Sequence, residues 1–164
     1  SLLNSEKDRA ENVMIVDLVR NDLSRTATRG SVKVVELFGV YQFPQVHQLI
    51  STVSSTLDEK FDIFDVIGTS FPMGSMTGAP KISAMQLADQ QEMSRRELYS
   101  GSVGYITPEG DADFNVIIRS LMYSSSKKYL SLTVGGAITD LAEPEQEYEE
   151  CLLKAQAIFE LGKK

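Results

Sequence analysis

At 164 residues, with 42% hydrophobic and 24% charged side chains, the chain has the composition and length of one globular domain with its own core, which excludes a disordered segment. A net charge of −7 with no lysine or arginine cluster excludes nucleic acid and anionic membrane surfaces as partners, since both demand a basic face. One cysteine, Cys151, permits no internal disulfide, and no apolar run approaches a membrane span or a signal core, so cytoplasm is the expected compartment.

The chain opens SLLNSEKDRAENVM, without an initiator methionine, and runs straight into a patterned segment, as a piece of a longer protein would. No repeat or linker divides it, so residues 1–164 read as a portion of a single domain. From Asp8 to Leu23, apolar residues recur near helical spacing and predict a mostly buried helix. Two β-rich runs follow, SVKVVELFGVYQF and VHQLISTVSSTL, broken at Pro44 and expected to be paired or sequential strands. DIFDVIGTSF predicts a short helix ending at Pro72. The loop PMGSMTGAPK then leads into a helix KISAMQLADQQE, with Thr77 as its expected N-cap and Pro80 in its first turn. SGSVGYIT, DFNVIIRSLMYSS and KYLSLTVGGAIT read as strands of an antiparallel meander, with a turn at PEGD. From Glu143 to Leu161 a stripe of Tyr148, Cys151, Leu152, Ala155, Ile158 and Phe159 predicts a packed terminal helix. Strands interspersed with helices without strict alternation make the fold class α+β.

Four groups of residues are candidates for chemistry. Asp8 with Glu11, and Glu147 with Glu150, each put two carboxylates on one helix face. Such acids either complement the helix dipole or, if the two helices converge, allow Glu11 and Glu150 to hold Mg²⁺. GSMTGAPK, from Gly74 to Lys81, is a glycine-bearing loop opening a helix, either a plain turn or a carboxylate cradle; its glycine-to-lysine spacing is not that of a P-loop. Arg119, inside an apolar strand run, pairs either with a buried acid or with an anionic ligand, to which Tyr105 could add a phenol. Gly135 and Gly136, at the end of a strand, make either a bulge or a close approach to a ligand. His47, the only histidine, has no nucleophile or acid to work with and reads as structural; Cys151 reads as core.

Taken in order, AENVMIVDLVRNDLSR, GSVKV, QLISTV, GSMTGAPKISAM, GSVGYI, DFNVIIRS, GGAITD and EPEQEYEEC resemble the chorismate-binding domain of the anthranilate synthase and aminodeoxychorismate synthase large subunits. The likeness runs over essentially the whole chain. ENVMIVDL and FPMGSMTGAPK look more like the aminodeoxychorismate than the anthranilate branch, where a histidine more often follows the glutamate.

The resemblance implies the C-terminal part of a two-sheet sandwich. It implies Glu11 and Glu150 as Mg²⁺ ligands, and Asp8 and Glu147 as catalytic acids beside the metal and its waters. Substrate contacts would come from Gly74, Ser75, Thr77 and Gly78, from Tyr105 and Arg119 on the enolpyruvyl carboxylate, and from the Gly135 and Gly136 backbone. The implied reaction replaces the 4-hydroxyl of chorismate by an amino group from ammonia supplied by a glutamine amidotransferase partner, toward para-aminobenzoate and folate. Anthranilate synthase, isochorismate or salicylate synthases, and a non-catalytic chorismate-binding or docking module are the rivals. Three departures stand out. Gln48 occupies a position that is commonly histidine in the family, with His47 pointing to the opposite side of a strand. Leu141-Ala142 replaces a DS dipeptide. The upstream segment with the covalent lysine of aminodeoxychorismate synthases is absent, so the isolated chain is expected to be catalytically silent and, with exposed apolar edges, prone to self-association.

Overall fold

A computed structural model describes residues 5–43, 47–140 and 142–159, apart from the side chain of Ala157. The expected break at Pro44, the contact changed at Leu141 and the helix end at Leu161 lie outside the described residues. The chain divides into two compact units, residues 1–93 and 94–164.

In the first unit, helix α1 (Glu6–Ser24) starts at Ser5, whose hydroxyl accepts from the Asp8 N–H; this is the side-chain cap that the exposed donors of a first turn require. Asp8 thus lies in the first turn, where its charge complements the dipole. Only Val16, Leu18 and Asp22 are buried along α1, and Val13 is largely exposed, so the helix is less enclosed than its apolar pattern predicts. Strands β1 (Lys33–Gln42) and β2 (His47–Ser54) pair antiparallel, as expected, with irregular register on either side of Glu36. There Phe38 takes a positive φ, and its N–H donates to Ser51 Oγ. Ser51 in turn donates to Asn12 of α1 at 2.6 Å, and Asn12 donates to the Leu49 carbonyl, so a polar thread docks the hairpin on the helix.

Helix α2 (Ile63–Ser70) is set by a reciprocal capping box between Asp62 and Asp65. A 3₁₀ turn (Gly74–Met76) follows, and helix α3 (Lys81–Gln91) has Pro80, not Thr77, at its N-cap position. The Thr77 hydroxyl points back along the chain and donates to the Met73 and Gly74 carbonyls, closing the 3₁₀ turn and leaving it unable to cap α3.

In the second unit, β3 (Ser102–Ile106) and β4 (Ala112–Val116) form a hairpin around the expected PEGD turn, with Gly110 at φ +95°. Strands β5 (Leu121–Ser124) and β6 (Tyr129–Leu132) form a second. The described residues thus contain three two-stranded antiparallel sheets, and β4 does not pair with β5 as a continuous meander would require. The predicted strand through Ile117 and Arg119 is interrupted: Ile117 completes the β3–β4 ladder by exchanging hydrogen bonds with Ser100 and Gly101, after which Arg119 turns the chain with φ +50°. Strand β6 stops at Leu132, so the two glycines lie beyond it in irregular chain.

Helix α4 (Pro144–Phe159) buries Glu147 and Ala155 and half-buries Cys151 and Ile158, while Tyr148, Leu152 and Phe159 stay exposed. Its inner face is thus centred on residues 147, 151 and 155, spaced four apart, and not on the full apolar stripe.

Candidate functional site

The chemistry-bearing residues fall into two groups, one in each unit. In the first, α1 carries Asp8 and Glu11. The Glu11 carboxylate is 26% exposed, with the Lys7 ammonium 4.0 Å from its Oε1. Further along the same helix, Leu18 meets Gly74 of the loop, where an added Cβ would overlap the leucine side chain. Only glycine lets the loop approach α1 so closely. Asp22, one turn further, receives the Lys81 ammonium at 2.6 Å; the two side chains are 7% and 14% exposed. Lys81 also donates to the Ser70 carbonyl at 3.1 Å. The GSMTGAPK loop is therefore held at its buried start, Gly74, and at its end, Lys81, while Ser75 is exposed and Thr77 and Gly78 are half-buried; Gly78 takes φ +132°.

In the second unit, the glycine segment lies against α4. A Cβ on Gly136 would come within 2.9 Å of Glu147 Oε2, and one on Gly135 within 2.9 Å of the Tyr99 hydroxyl. Glu150, half-exposed, pairs with Lys154 at 2.7 Å, and the same ammonium donates to the Gly135 carbonyl at 3.1 Å. Glu147, Glu150, Gly135 and Gly136, singled out separately from the sequence, are thus drawn together.

Arg119 and Tyr105 are both exposed on the surface of this unit, Tyr105 by 61%. Arg119 does not share a strand face with apolar neighbours, because its backbone leaves the strand. A non-glycine residue in the left-handed region costs roughly 1–2 kcal/mol, and the Arg119 side chain at this turn is exposed. His47 is exposed and pairs across the hairpin with Gln42, and Gln48 with Tyr41.

Lys154 and Asp22, the partner of Lys81, escaped the sequence reading. Lys154 sits four residues after Glu150, a helical ion-pair spacing that could have flagged it. Asp22 is an acid in line with Leu18, and Lys81 is a cation at a helix start, against the dipole; each is anomalous alone and explained by the other.

Among the described residues no helix is long and apolar enough to cross a membrane, and no group of three or more His, Cys, Asp or Glu side chains comes together as a metal site. Compared with known proteins, the chain is similar to aminodeoxychorismate synthase component 1 of Escherichia coli, with 46% identity over 158 residues, 96% of this chain and 34% of that protein. It is 45% identical to the aminodeoxychorismate synthase of Streptomyces griseus over 98% of this chain and 22% of the relative. The chain thus spans about a third or less of the curated relatives it matches. Among solved structures, anthranilate synthase component I from Streptococcus pneumoniae superposes with a TM-score of 0.80 at 34% identity, covering 94% of this chain and 35% of that one. A Bacillus anthracis protein described as a putative 2,3-dihydroxybenzoate-specific isochorismate synthase shares the fold at TM-score 0.85 and 24% identity, over 98% of this chain and 42% of that one. These likenesses bear out the α+β class and the expected architecture. Since residues 1–160 match the chorismate binding enzyme family, the two carboxylate-bearing helices, the clasped loop and the glycine segment belong to that family's domain, and this chain is a member of it.

Proposed function

We propose that this chain is the C-terminal third of an aminodeoxychorismate synthase large subunit, a transferase that forms 4-amino-4-deoxychorismate from chorismate and ammonia for para-aminobenzoate and folate synthesis. The observation that carries the reading is the aminodeoxychorismate synthase name on relatives 42–46% identical across nearly the whole chain. A glutamine amidotransferase subunit or domain would supply the ammonia, and the cytoplasm remains the proposed compartment in a bacterial setting. The likeness to an anthranilate synthase structure at 34% identity favours one second reading, in which nitrogen enters at the neighbouring carbon and pyruvate is lost.

The donor chemistry fits Mg²⁺. Glu11 and Glu150 offer carboxylate oxygens, the hard ligands this ion takes, and two of them leave places for water and substrate. When bound, the ion would fix the ring carboxylate of chorismate and offset charge as the ring oxygen departs. The remaining roles fall to the chain itself. Asp8 and Glu147, about one helical turn before the proposed ligands, would accept hydrogen bonds from water there. Lys154 balances the negative charge of Glu150, which eases approach of a dianion. Arg119 presents a planar fork suited to the second carboxylate, with the Tyr105 phenol beside it in role, and the GSMTGAPK loop and the Gly135–Gly136 backbone supply neutral donors. Two anchored carboxylates would hold the ring in one orientation.

The test is Glu150→Gln in the full-length protein, with turnover followed across a Mg²⁺ titration. A fall of 100-fold or more, or a large shift of the Mg²⁺ midpoint, supports the assignment; unchanged Mg²⁺-dependent turnover overturns it. The isolated 164-residue chain should consume no chorismate, since the covalent lysine implied by the resemblance is not in it. The same chain should self-associate through apolar side chains exposed on β1 (Val35, Leu37, Val40) and on the β5–β6 hairpin (Tyr123, Tyr129, Leu130). Sedimentation as a clean monomer at high concentration counts against that.

A further inference from the structure

We infer that the buried Asp22–Lys81 ion pair is a positioning device for the GSMTGAPK loop, setting substrate affinity without touching the substrate; this deepens the reading above and rests on it. Lys81 is the first residue of α3, where a cation opposes the helix dipole. It is tolerated there because its ammonium leaves the helix end and reaches two acceptors on other elements: Asp22 of α1 at 2.6 Å and the carbonyl of Ser70, the last residue of α2, at 3.1 Å. A cation near that helix C-terminus is favourable. The Ser70 contact closes residues 71–80 into a loop clasped at its own base. The Asp22 contact fixes the clasp to α1.

Three positions on α1 lie on one face by their spacing of seven and four: Glu11, Leu18 and Asp22. Leu18 fills the notch left by Gly74 and Asp22 holds Lys81, so one rigid helix carries both the proposed metal ligand and the two anchors of the loop. The pair is enclosed, which makes it strong as a pair and costly to halve. Neither residue needs to touch substrate for this role. What they set is where the loop backbone sits relative to Glu11.

Replacing both partners together removes the pair without leaving an orphaned buried charge, so stability and positioning can be read apart. In the full-length protein, Asp22→Leu/Lys81→Met is expected to melt within a few degrees of the parent while KM for chorismate rises 10-fold or more, with a smaller change in kcat. The single variants should lose stability as well as affinity. Lys81→Arg, which keeps the charge but puts a longer, planar fork where a compact ammonium sat between its two acceptors, should stay folded and raise KM about 5-fold; it decides the matter should the double variant not fold. Unchanged KM in a folded double variant, or in Lys81→Arg, overturns the inference and leaves the pair a structural contact only. A parent protein that consumes no chorismate with Mg²⁺ and ammonium would instead overturn the proposed function, a distinct outcome.

Discussion

Gly136→Ala should separate catalysis from stability. The new methyl carbon would lie 2.9 Å from Glu147 Oε2, so the carboxylate must retreat by about half an ångström to restore ordinary contact. Because that atom is the far end of a flexible side chain, the adjustment is inexpensive. Gly136 does not require a positive φ, so alanine also narrows the unfolded ensemble, worth about 0.4–1 kcal/mol in the opposite direction. The net change in stability should stay within about 1 kcal/mol, or roughly 2–4 °C for a chain of 164 residues and less for the longer full-length protein. The displacement matters more for chemistry: if a 1 Å misplacement costs about 100-fold, half of it costs about 10-fold. Thermal melting and kcat/KM for chorismate in the full-length protein measure the two effects. A variant with undiminished kcat/KM would refute a working role for Glu147, and a fall of 10 °C would refute the premise that its carboxylate can move.

Gly74→Ala should cost about 1–3 kcal/mol, because the new methyl overlaps buried Leu18. Combined with Leu18→Ala, the loss in denaturant unfolding should be smaller than the sum of the two, and strict additivity would contradict the contact. Asn12→Ala leaves the Ser51 hydroxyl without its acceptor and should cost about 1–2 kcal/mol by the same assay, whereas no loss would mean the thread from α1 to β2 is incidental. The Tyr41 phenol donates to Glu36 at 2.7 Å, and that carboxylate raises its pKa above the usual 10.0. Any stability the pair contributes is therefore present below the ordinary tyrosine value and lost as pH climbs through the raised one. Ultraviolet titration, with Tyr41→Phe as reference, should show Glu36→Gln returning the phenol toward its ordinary range; an unmoved titration removes Glu36 as the cause.

The helices were legible because their signals are local. Asp62 and Asp65 at capping spacing start α2, and periodic apolar residues mark α1. The β1–β2 hairpin and the PEGD turn were likewise written in short-range pattern. The interruption at Arg119 was not, because Ile117 and Ile118 continue a strand composition and no glycine or proline announces the positive φ. Thr77 misled for a related reason: a hydroxyl before a helix can serve either the helix or the preceding turn, and here the 3₁₀ turn took it. Glu147 and Glu150 were found by spacing, yet the contacts of Gly136 with Glu147 and of Lys154 with the Gly135 carbonyl form only once the irregular segment after β6 is folded onto α4. The Asp22–Lys81 pair spans 59 residues, and nothing short of the fold connects them.

Pyruvate release, followed alongside chorismate consumption in the full-length protein with Mg²⁺ and ammonium, tests the proposed chemistry most directly. The expected result is chorismate consumed without pyruvate; stoichiometric pyruvate with a fluorescent product would contradict it and place nitrogen at the neighbouring ring carbon.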